Sequence, residues 1–346
     1  MHRLLYMLSS SVALAAATVA LQPAPAAAQT VLRFDNWLPA GHSMMAGCIT
    51  PWIEQVEKAT EGRVRVELTG ASLGTPQRQY DMVVQSIVDV AIGLPGYTPG
   101  RFDMTEVAEL PFKGDSAEVR SVGLWRVTEA MLGEAGEFRD TQPLALFTTG
   151  TGVIMMGNRP VRSLEEYQGL KLRIGGGIVS EINQTLGGVN VAAPASEIYE
   201  MISQGIVDGT LVAPEGYNSF GFKNVVKYVT EFPGGFYASG WYVVMNKSKF
   251  DGLSEQDREA LMSVSGEHMS RMCGKAIDAA DQAGREAMKA DGVEIIVASD
   301  EFTTAVREKL GPIEDAWIAK ATAKGMDGVA AIRMFEEVVE EVNAGK

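Results

Sequence analysis

The chain has 346 residues, 46% of them hydrophobic, and a formal net charge of −14 at pH 7. That length exceeds what one ordinary compact core needs and suits two lobes, and an acidic balance disfavours nucleic acid, whose phosphates call for a basic surface. Cys48 and Cys273 are the only cysteines, too few for a disulfide scaffold; in an oxidising compartment they either pair or stay as separate buried thiols.

Residues 1–28 read as a signal peptide: Arg3 supplies a positive start, 12–21 an apolar stretch, and Ala26-Ala27-Ala28 a small-residue cleavage site before Gln29. The remainder is expected in the periplasm. No cysteine sits at the cleavage point and no twin arginine precedes the apolar stretch, which disfavours a lipoprotein or folded export. No later apolar run reaches the roughly eighteen residues of a membrane span.

A first strand is expected at 31–37 (VLRFDNW), left by the loop Leu38-Pro39-Ala40-Gly41-His42, then a helix at 45–58 and an alternating strand at 64–69. Residues 80–95, YDMVVQSIVDVAIGLP, recur at an offset of 119 as 199–214, YEMISQGIVDGTLVAP. Each copy reads as an amphipathic helix, a turn and an apolar strand ending at proline, the second half of a βαβ unit. The duplication implies two related α/β lobes with mainly parallel sheets, and clefts between such lobes take small ligands at the carboxyl ends of the strands.

The apolar segment 144–157 is expected to cross between the lobes. A short strand at 170–174 (LKLRI) then ends in Gly175-Gly176-Gly177, with a helix at about 179–186 and a strand at 189–193. The aromatic-rich strand 236–245 returns the chain, so that two crossings make a hinge. Lobe I is thereby assigned 29–148 and 241–265, and lobe II 149–240 and 266–346 with the C-terminal helices. Ser254 with Asp257 makes a capping-box-like start, and helical composition runs without proline to Asp291-Gly292. Unbroken, that helix is about 55 Å long and has to span both lobes; Gly266 and Gly274 are its weak points. Surface helices with acidic outer faces are expected at 300–324 and 329–342.

Arg173 is the leading candidate for binding. It closes a short apolar strand just before three glycines that let backbone amides approach a ligand, and a guanidinium there offers a bidentate grip on a carboxylate. Pairing with a local carboxylate is the other reading. Catalysis has little support: beyond residue 28 only His42 and His268 remain, without metal-ligand spacing, and both are read as structural or surface residues. Gly175-Gly176-Gly177 lacks the GxGxxG pattern, and no nucleophile elbow occurs. No catalytic residue, metal or cofactor is assigned.

Along nearly its whole length after residue 28 the chain resembles the DctP-type substrate-binding proteins of tripartite ATP-independent periplasmic (TRAP) transporters. The likeness lies in the order and spacing of NWLPAGH, EKATEGRVRVEL, GTPQRQYDMVVQSIVDVAIG, ELPF, GLKLR, SEIYEMISQGIVDG and VVMNKSKFDGLS. It implies a two-lobed periplasmic binding protein of α/β class, with crossing strands, a long helix over both lobes and closure on the ligand. It also implies that Arg173, in the GLKLR motif, pairs with the carboxylate of an organic acid. The implied partners are the small and large membrane subunits of the transporter, driven by an ion gradient, and no ATP site is expected.

Departures from the family pattern point to a less polar cleft. Members that bind highly polar acids commonly add a second arginine where this chain has Gly152-Val153-Ile154-Met155, and others carry charges where it has Leu94-Pro95-Gly96-Tyr97. The DGQEN pattern is replaced by Asp208-Gly209-Thr210-Leu211-Val212, followed by Ala213-Pro214-Glu215, and an aromatic of some members corresponds to Ala195. The expected ligand-binding set is Arg173 with Trp37, Leu94, Tyr97, Met155, Ala213, Pro214, Glu215, Phe236 and Tyr237. It suits one carboxylate on an aromatic or apolar body, since a buried ring of about 150–250 Å² at about 25 cal/mol per Å² supplies several kcal/mol. Glu215 is left to receive a hydroxyl or amine. The alternatives are a dicarboxylate or sugar-acid receptor of the same family, a periplasmic ligand sensor and, last, a hydrolase.

Overall fold

A computed structural model describes residues 29–345, so the expected signal peptide at 1–28 lies outside the described residues. In chain order the strands are β1 (Thr30–Asp35), β2 (Val64–Leu68), β3 (Val90–Gly93), β4 (Thr141–Thr148), β5 (Val153–Met156), β6 (Lys171–Ile174), β7 (Val189–Ala192), β8 (Gly209–Val212), β9 (Tyr228–Glu231), β10 (Gly240–Asn246) and β11 (Glu294–Val297). Hydrogen bonding joins them into two sheets, β2-β1-β3-β10-β4 and β11-β9-β5-β8-β6-β7. Each sheet has one strand that runs against its neighbours. β10 is antiparallel to β3 and β4, and β5 to β8 and β9. These are the two strands with which the chain enters a lobe after crossing from the other.

The sequence repeat is also a structural one. Helix Gln79–Val84 with β3, and helix Ile198–Ser203 with β8, keep the same boundaries at the repeat offset. The aspartate common to both copies has one job: Asp89 Oδ2 accepts from Arg33 N on β1, and Asp208 Oδ2 from Lys171 N on β6, each at 2.8 Å. Between helix and strand, Ser86 (φ 58°) and Gly205 (φ 68°) make the same left-handed turn. Glycine adopts that conformation without steric penalty, whereas serine has to be held in it by the surrounding structure.

The crossings run at 149–152 and 232–239 and are bonded to each other. Thr149 N donates to Ser239 O (2.9 Å), Gly152 N to Tyr237 O (2.7 Å) and Phe236 N to Thr151 Oγ1 (2.7 Å). The single long helix expected after Ser254 is two helices, Glu255–Ser263 and Gly266–Ala290. The break falls at Gly266, whose φ of 61° no helix interior accommodates. Ser254 Oγ caps the first piece by accepting from Asp257 N at 3.1 Å.

The second piece, 25 residues and about 37 Å long, is gripped from both sides. Asp278 accepts from Ala117 N (2.6 Å), Glu118 N (3.1 Å) and Ser116 Oγ (2.7 Å) at the start of helix Ala117–Val127 beside the first sheet. Asp281, one turn on, accepts from Glu215 N (2.7 Å) in the loop after β8. The backbone comes close at both contacts: Gly274 lies against Ala117 and Glu118, and Gly284 against Pro214 O. Cys48 and Cys273 form a disulfide that ties the same helix to the turn Met45–Ile49, which resolves the pairing that the sequence leaves open.

The C-terminal helices do not stay with the second sheet. Helix Gly328–Asn343 packs on helix Ala117–Val127, with Phe335 over Gly123. Helix Asp300–Ala323 reaches both halves through Lys320, which bonds Glu106 (3.1 Å) and Glu181 (2.7 Å). Beside that contact, buried Glu109 receives the returning chain, its Oε1 accepting from Gly240 N at 2.6 Å. Burial, reinforced by the Glu106 charge, pushes its carboxyl up to about 8, and burial raises Glu106 to about 7 against the pull of Lys320.

Two outcomes are expected. Gly274→Ala, whose Cβ would stand 2.5 Å from Glu118 Cα, should cost about 1–3 kcal/mol of stability; urea unfolding at the wild-type midpoint would mean that this close contact does not constrain the helix. Glu109 keeps a proton that the unfolded chain releases above about pH 4.5, so its contribution to stability is full below that value and is lost as the pH rises towards 8. Glu109→Gln keeps the acceptor and cannot ionise. It should flatten this fall and be the more stable protein at about pH 8.5, and parallel melting curves for the two between pH 5 and 9 would refute a neutral Glu109.

Candidate functional site

β1 and β6 meet the two copies of the repeat in the same register, which makes Asp35 and Arg173 equivalent positions. Their surroundings differ. The Asp35 carboxylate takes four donors, Thr69 Oγ1, Ser72 Oγ, Gln79 Nε2 and Leu73 N, at 2.8–2.9 Å. Arg173 is only 3% exposed, yet its one short bond is from Nε to Ala193 O (2.7 Å). Nη2 reaches Tyr97 Oη at a long 3.4 Å, while among the described residues Nη1 has no partner and no carboxylate pairs with the guanidinium. Another buried arginine, Arg120, donates to the carbonyls of Gly114, Ala108 and Leu110. Arg120 is saturated by backbone; Arg173 is left with charge and donors to offer.

Two phenols stand beside it. Tyr237, on the second crossing, is 1% exposed with a hydroxyl that has no partner among the described residues. Burial raises its pKa and the Arg173 charge opposes the rise, so it remains a neutral donor. The residue opposite it has to be Gly152, because a Cβ there would enter the Tyr237 ring. Tyr97 comes from the first lobe, and its Oη accepts from Ala195 N (3.0 Å) as well as from Arg173, which leaves its own proton to donate. Next to it Gly96 lies on Gly175 and Gly176, so the lobes touch along this edge. One uncompensated cation with two hydroxyl donors is the kind of donor set that pairs with a carboxylate.

An aromatic wall continues from Tyr97. Its ring meets Trp37 edge-on (5.9 Å), Trp37 stacks on Trp241 (5.8 Å, 1° between planes), and Trp241 stacks on Phe147 (6.1 Å). Trp37 is half-buried and donates Nε1 to Ile92 O (3.2 Å). Leu94 is buried in the same cluster. Trp241 and Phe147 pair in register across β10 and β4 and were not among the expected residues. Strand alternation separates Trp241 from Tyr242, but it does not say which of them shares a face with Trp37. Met155 and Phe236 stand apart from this wall. Met155 lies wholly buried in a second-lobe core with Ile198, Met201 and Tyr217, and Phe236 packs on Phe232 (4.6 Å) and edge-on to Tyr237 (5.3 Å).

Ala213, Pro214 and Glu215 form the turn after β8, closed by Gly216 N to Ala213 O and Tyr217 N to Pro214 O, each 3.1 Å. Glu215 Oε2 accepts from Ser219 Oγ (2.7 Å) and from Ser43 Oγ of the first lobe (3.2 Å). His42 is here too, fully buried, its ring 5.0 Å from Phe220 and its Nε2 3.9 Å from Glu215 Oε2. Its Nδ1 accepts from Met44 N (3.2 Å), so Nε2 carries the proton, and it has no partner among the described residues. Burial lowers the His42 pKa, partly opposed by Glu215, and the ring is neutral. His268 is a surface residue bonded to Gln55 (2.8 Å). Two cavities lie away from these residues, one of about 260 Å³ beside Met104, Leu132 and Phe138 and one of about 680 Å³ beside Tyr199, Ile202 and Val225.

Comparison with known proteins agrees with this architecture. Residues 35–321 match the family described as bacterial extracellular solute-binding protein, family 7. A TRAP periplasmic solute-binding protein of Bordetella bronchiseptica, solved with (R)- and (S)-mandelate bound, is 36% identical with a TM-score of 0.89, covering 90% of this chain and 99% of that one. A TRAP solute-binding protein of Rhodoferax ferrireducens, solved with copurified benzoate, is 27% identical with a TM-score of 0.85, covering 90% and 98%. A Comamonas testosteroni protein named outer membrane transporter protein TsaT is 30% identical over 325 residues, 93% of this chain and 95% of its own. No helix among the described residues is long and apolar enough to cross a membrane. The two-lobed α/β fold and the kinship expected from the sequence are borne out: the chain belongs to the DctP family of bacterial extracellular solute-binding proteins, the substrate-binding components of TRAP transporters.

Proposed function

We propose that this protein is a periplasmic receptor that captures an aromatic monocarboxylate between its lobes and delivers it to the small and large membrane subunits of a TRAP transporter, without chemical change to the ligand. The observation that carries the reading is Arg173, a buried guanidinium that no carboxylate of the described residues neutralises. A desolvated cation is costly unless paired, and the carboxylate of the ligand supplies the pair. Tyr237 and Tyr97 add hydroxyl donors, and the stacked Trp37 and Trp241 offer a flat apolar wall for a ring. The mandelate and benzoate bound by the two structural relatives support the same class of ligand. The signal peptide expected at 1–28 supports the compartment. The two crossings and helix Gly266–Ala290 serve as the hinge, and closure over the ligand is the state that the membrane subunits recognise.

Arg173→Ala should fold normally and bind mandelate or benzoate several hundred to several thousand times more weakly, the equivalent of about 3–5 kcal/mol for stranding a buried carboxylate. Calorimetric titration checks this, and wild-type affinity in the variant would remove Arg173 from the site. Tyr237→Phe deletes only the unpartnered hydroxyl. It should weaken the same ligands by about 10–100-fold, the worth of a hydrogen bond to a charged group, while leaving the unfolding midpoint of the free protein unchanged or raised; an unaltered Kd would take the hydroxyl out of the carboxylate cradle.

A further inference from the structure

We infer that the cleft has a second polar pole, made by His42 of the first lobe and Glu215 of the second, which receives a hydroxyl group of the ligand, so that hydroxylated aromatic monocarboxylates are the preferred cargo. This rests on the receptor reading above and narrows it.

His42 is wholly buried and its Nε2 proton has no acceptor among the described residues. The nearest carboxylate oxygen, Glu215 Oε2, is 3.9 Å away, beyond hydrogen-bond reach, and is already engaged by Ser219 and Ser43. Glu215 Oε1 takes no donor among the described residues. A neutral N–H donor and an acidic acceptor therefore stand side by side with unused capacity. A hydroxyl is the small group that satisfies both at one atom, accepting from the imidazole and donating to Glu215. A second carboxylate would meet the acidic side chain, an ammonium would meet the imidazole N–H, and a bare ring carbon would leave both groups unpaired.

The pole also has the right address. Glu215 follows β8 and Arg173 stands one residue before the end of β6, neighbouring parallel strands whose spacing is about 4.8 Å, so both open on the same edge of the second sheet. Phe220, edge-on to His42, belongs to the apolar cluster that holds Trp37, Tyr97 and Trp241. An aromatic body lying along that wall has the cation towards one end and the His42–Glu215 pair towards the other.

The test is calorimetric titration of the mature protein with acids that differ by one hydroxyl: benzoate against 3- and 4-hydroxybenzoate, and phenylacetate against mandelate. At least one hydroxylated acid should bind about 10–100-fold more tightly than its parent. In Glu215→Gln that ratio should fall at least fivefold. His42→Phe removes the donor and should bring the ratio to within about threefold of unity; if it does not fold, Glu215→Gln decides alone. Parent and hydroxylated acids binding wild type within about threefold of each other would overturn the pole while leaving the receptor reading intact, as would an unchanged ratio in folded Glu215→Gln. Failure of every parent and hydroxylated acid to bind would overturn both.

Discussion

Two carboxylates three residues apart on helix Gly266–Ala290 determine how the lobes stand to one another. Asp278 occupies the positive end of helix Ala117–Val127, where backbone N–H groups have no partner of their own and an anion is favoured. Asp281 is buried deeply enough that burial, with Glu215 nearby, raises its pKa well above that of an ordinary aspartate, and it works through its bond to Glu215 N. Residues at this spacing share a helix face, so the first lobe and the loop after β8 of the second are referred to one rigid element. The disulfide adds a third attachment, two turns earlier, to the segment that follows His42 and Ser43. Both sides of the proposed hydroxyl pole thus hang from a single helix.

The two lobes share a half-unit and divide its uses. At equivalent positions the first keeps Asp35, which is saturated by four internal donors and organises the loop after β2, and the second keeps Arg173, which is left open. Duplication supplies the frame, and one change of side chain puts an uncompensated buried cation where the other copy has a saturated carboxylate. The same economy governs Asp89 and Asp208, which accept the same backbone N–H contact in both copies.

Much of the frame is legible in the sequence, because it rests on period and repetition. The copies at 80–95 and 199–214, the crossings before β5 and β10, and the glycine at which the long helix breaks are all local signals. The short strands β9 and β11, at one end of the second sheet, carry none, being four residues each and defined by partners far along the chain. The aromatic wall shows a different limit. Alternation tells which residues of β10 share a face, yet which of those faces meets Trp37 depends on packing between segments some two hundred residues apart, and so neither the stacking of Trp241 on Trp37 nor the packing of Met155 into the second-lobe core is legible. The burial of His42 is not legible, because sequence shows a polar residue in a loop and not that the loop is buried. The same holds for the isolation of Arg173, which is a matter of which carboxylates fail to reach it.

β10 lies between β3 and β4 in the first sheet although it follows them in the chain by about a hundred residues or more. Until residues 240–246 arrive, the sheet is split into two pieces with unpaired edges, and the whole second sheet except β11 precedes the strand that joins them. The N-terminal half is therefore not an independently foldable unit, and a fragment cut at a lobe boundary would expose the open edges of β3 and β4 to intermolecular pairing. Closing the first lobe is thereby a late, non-local event that waits until most of the chain has been made.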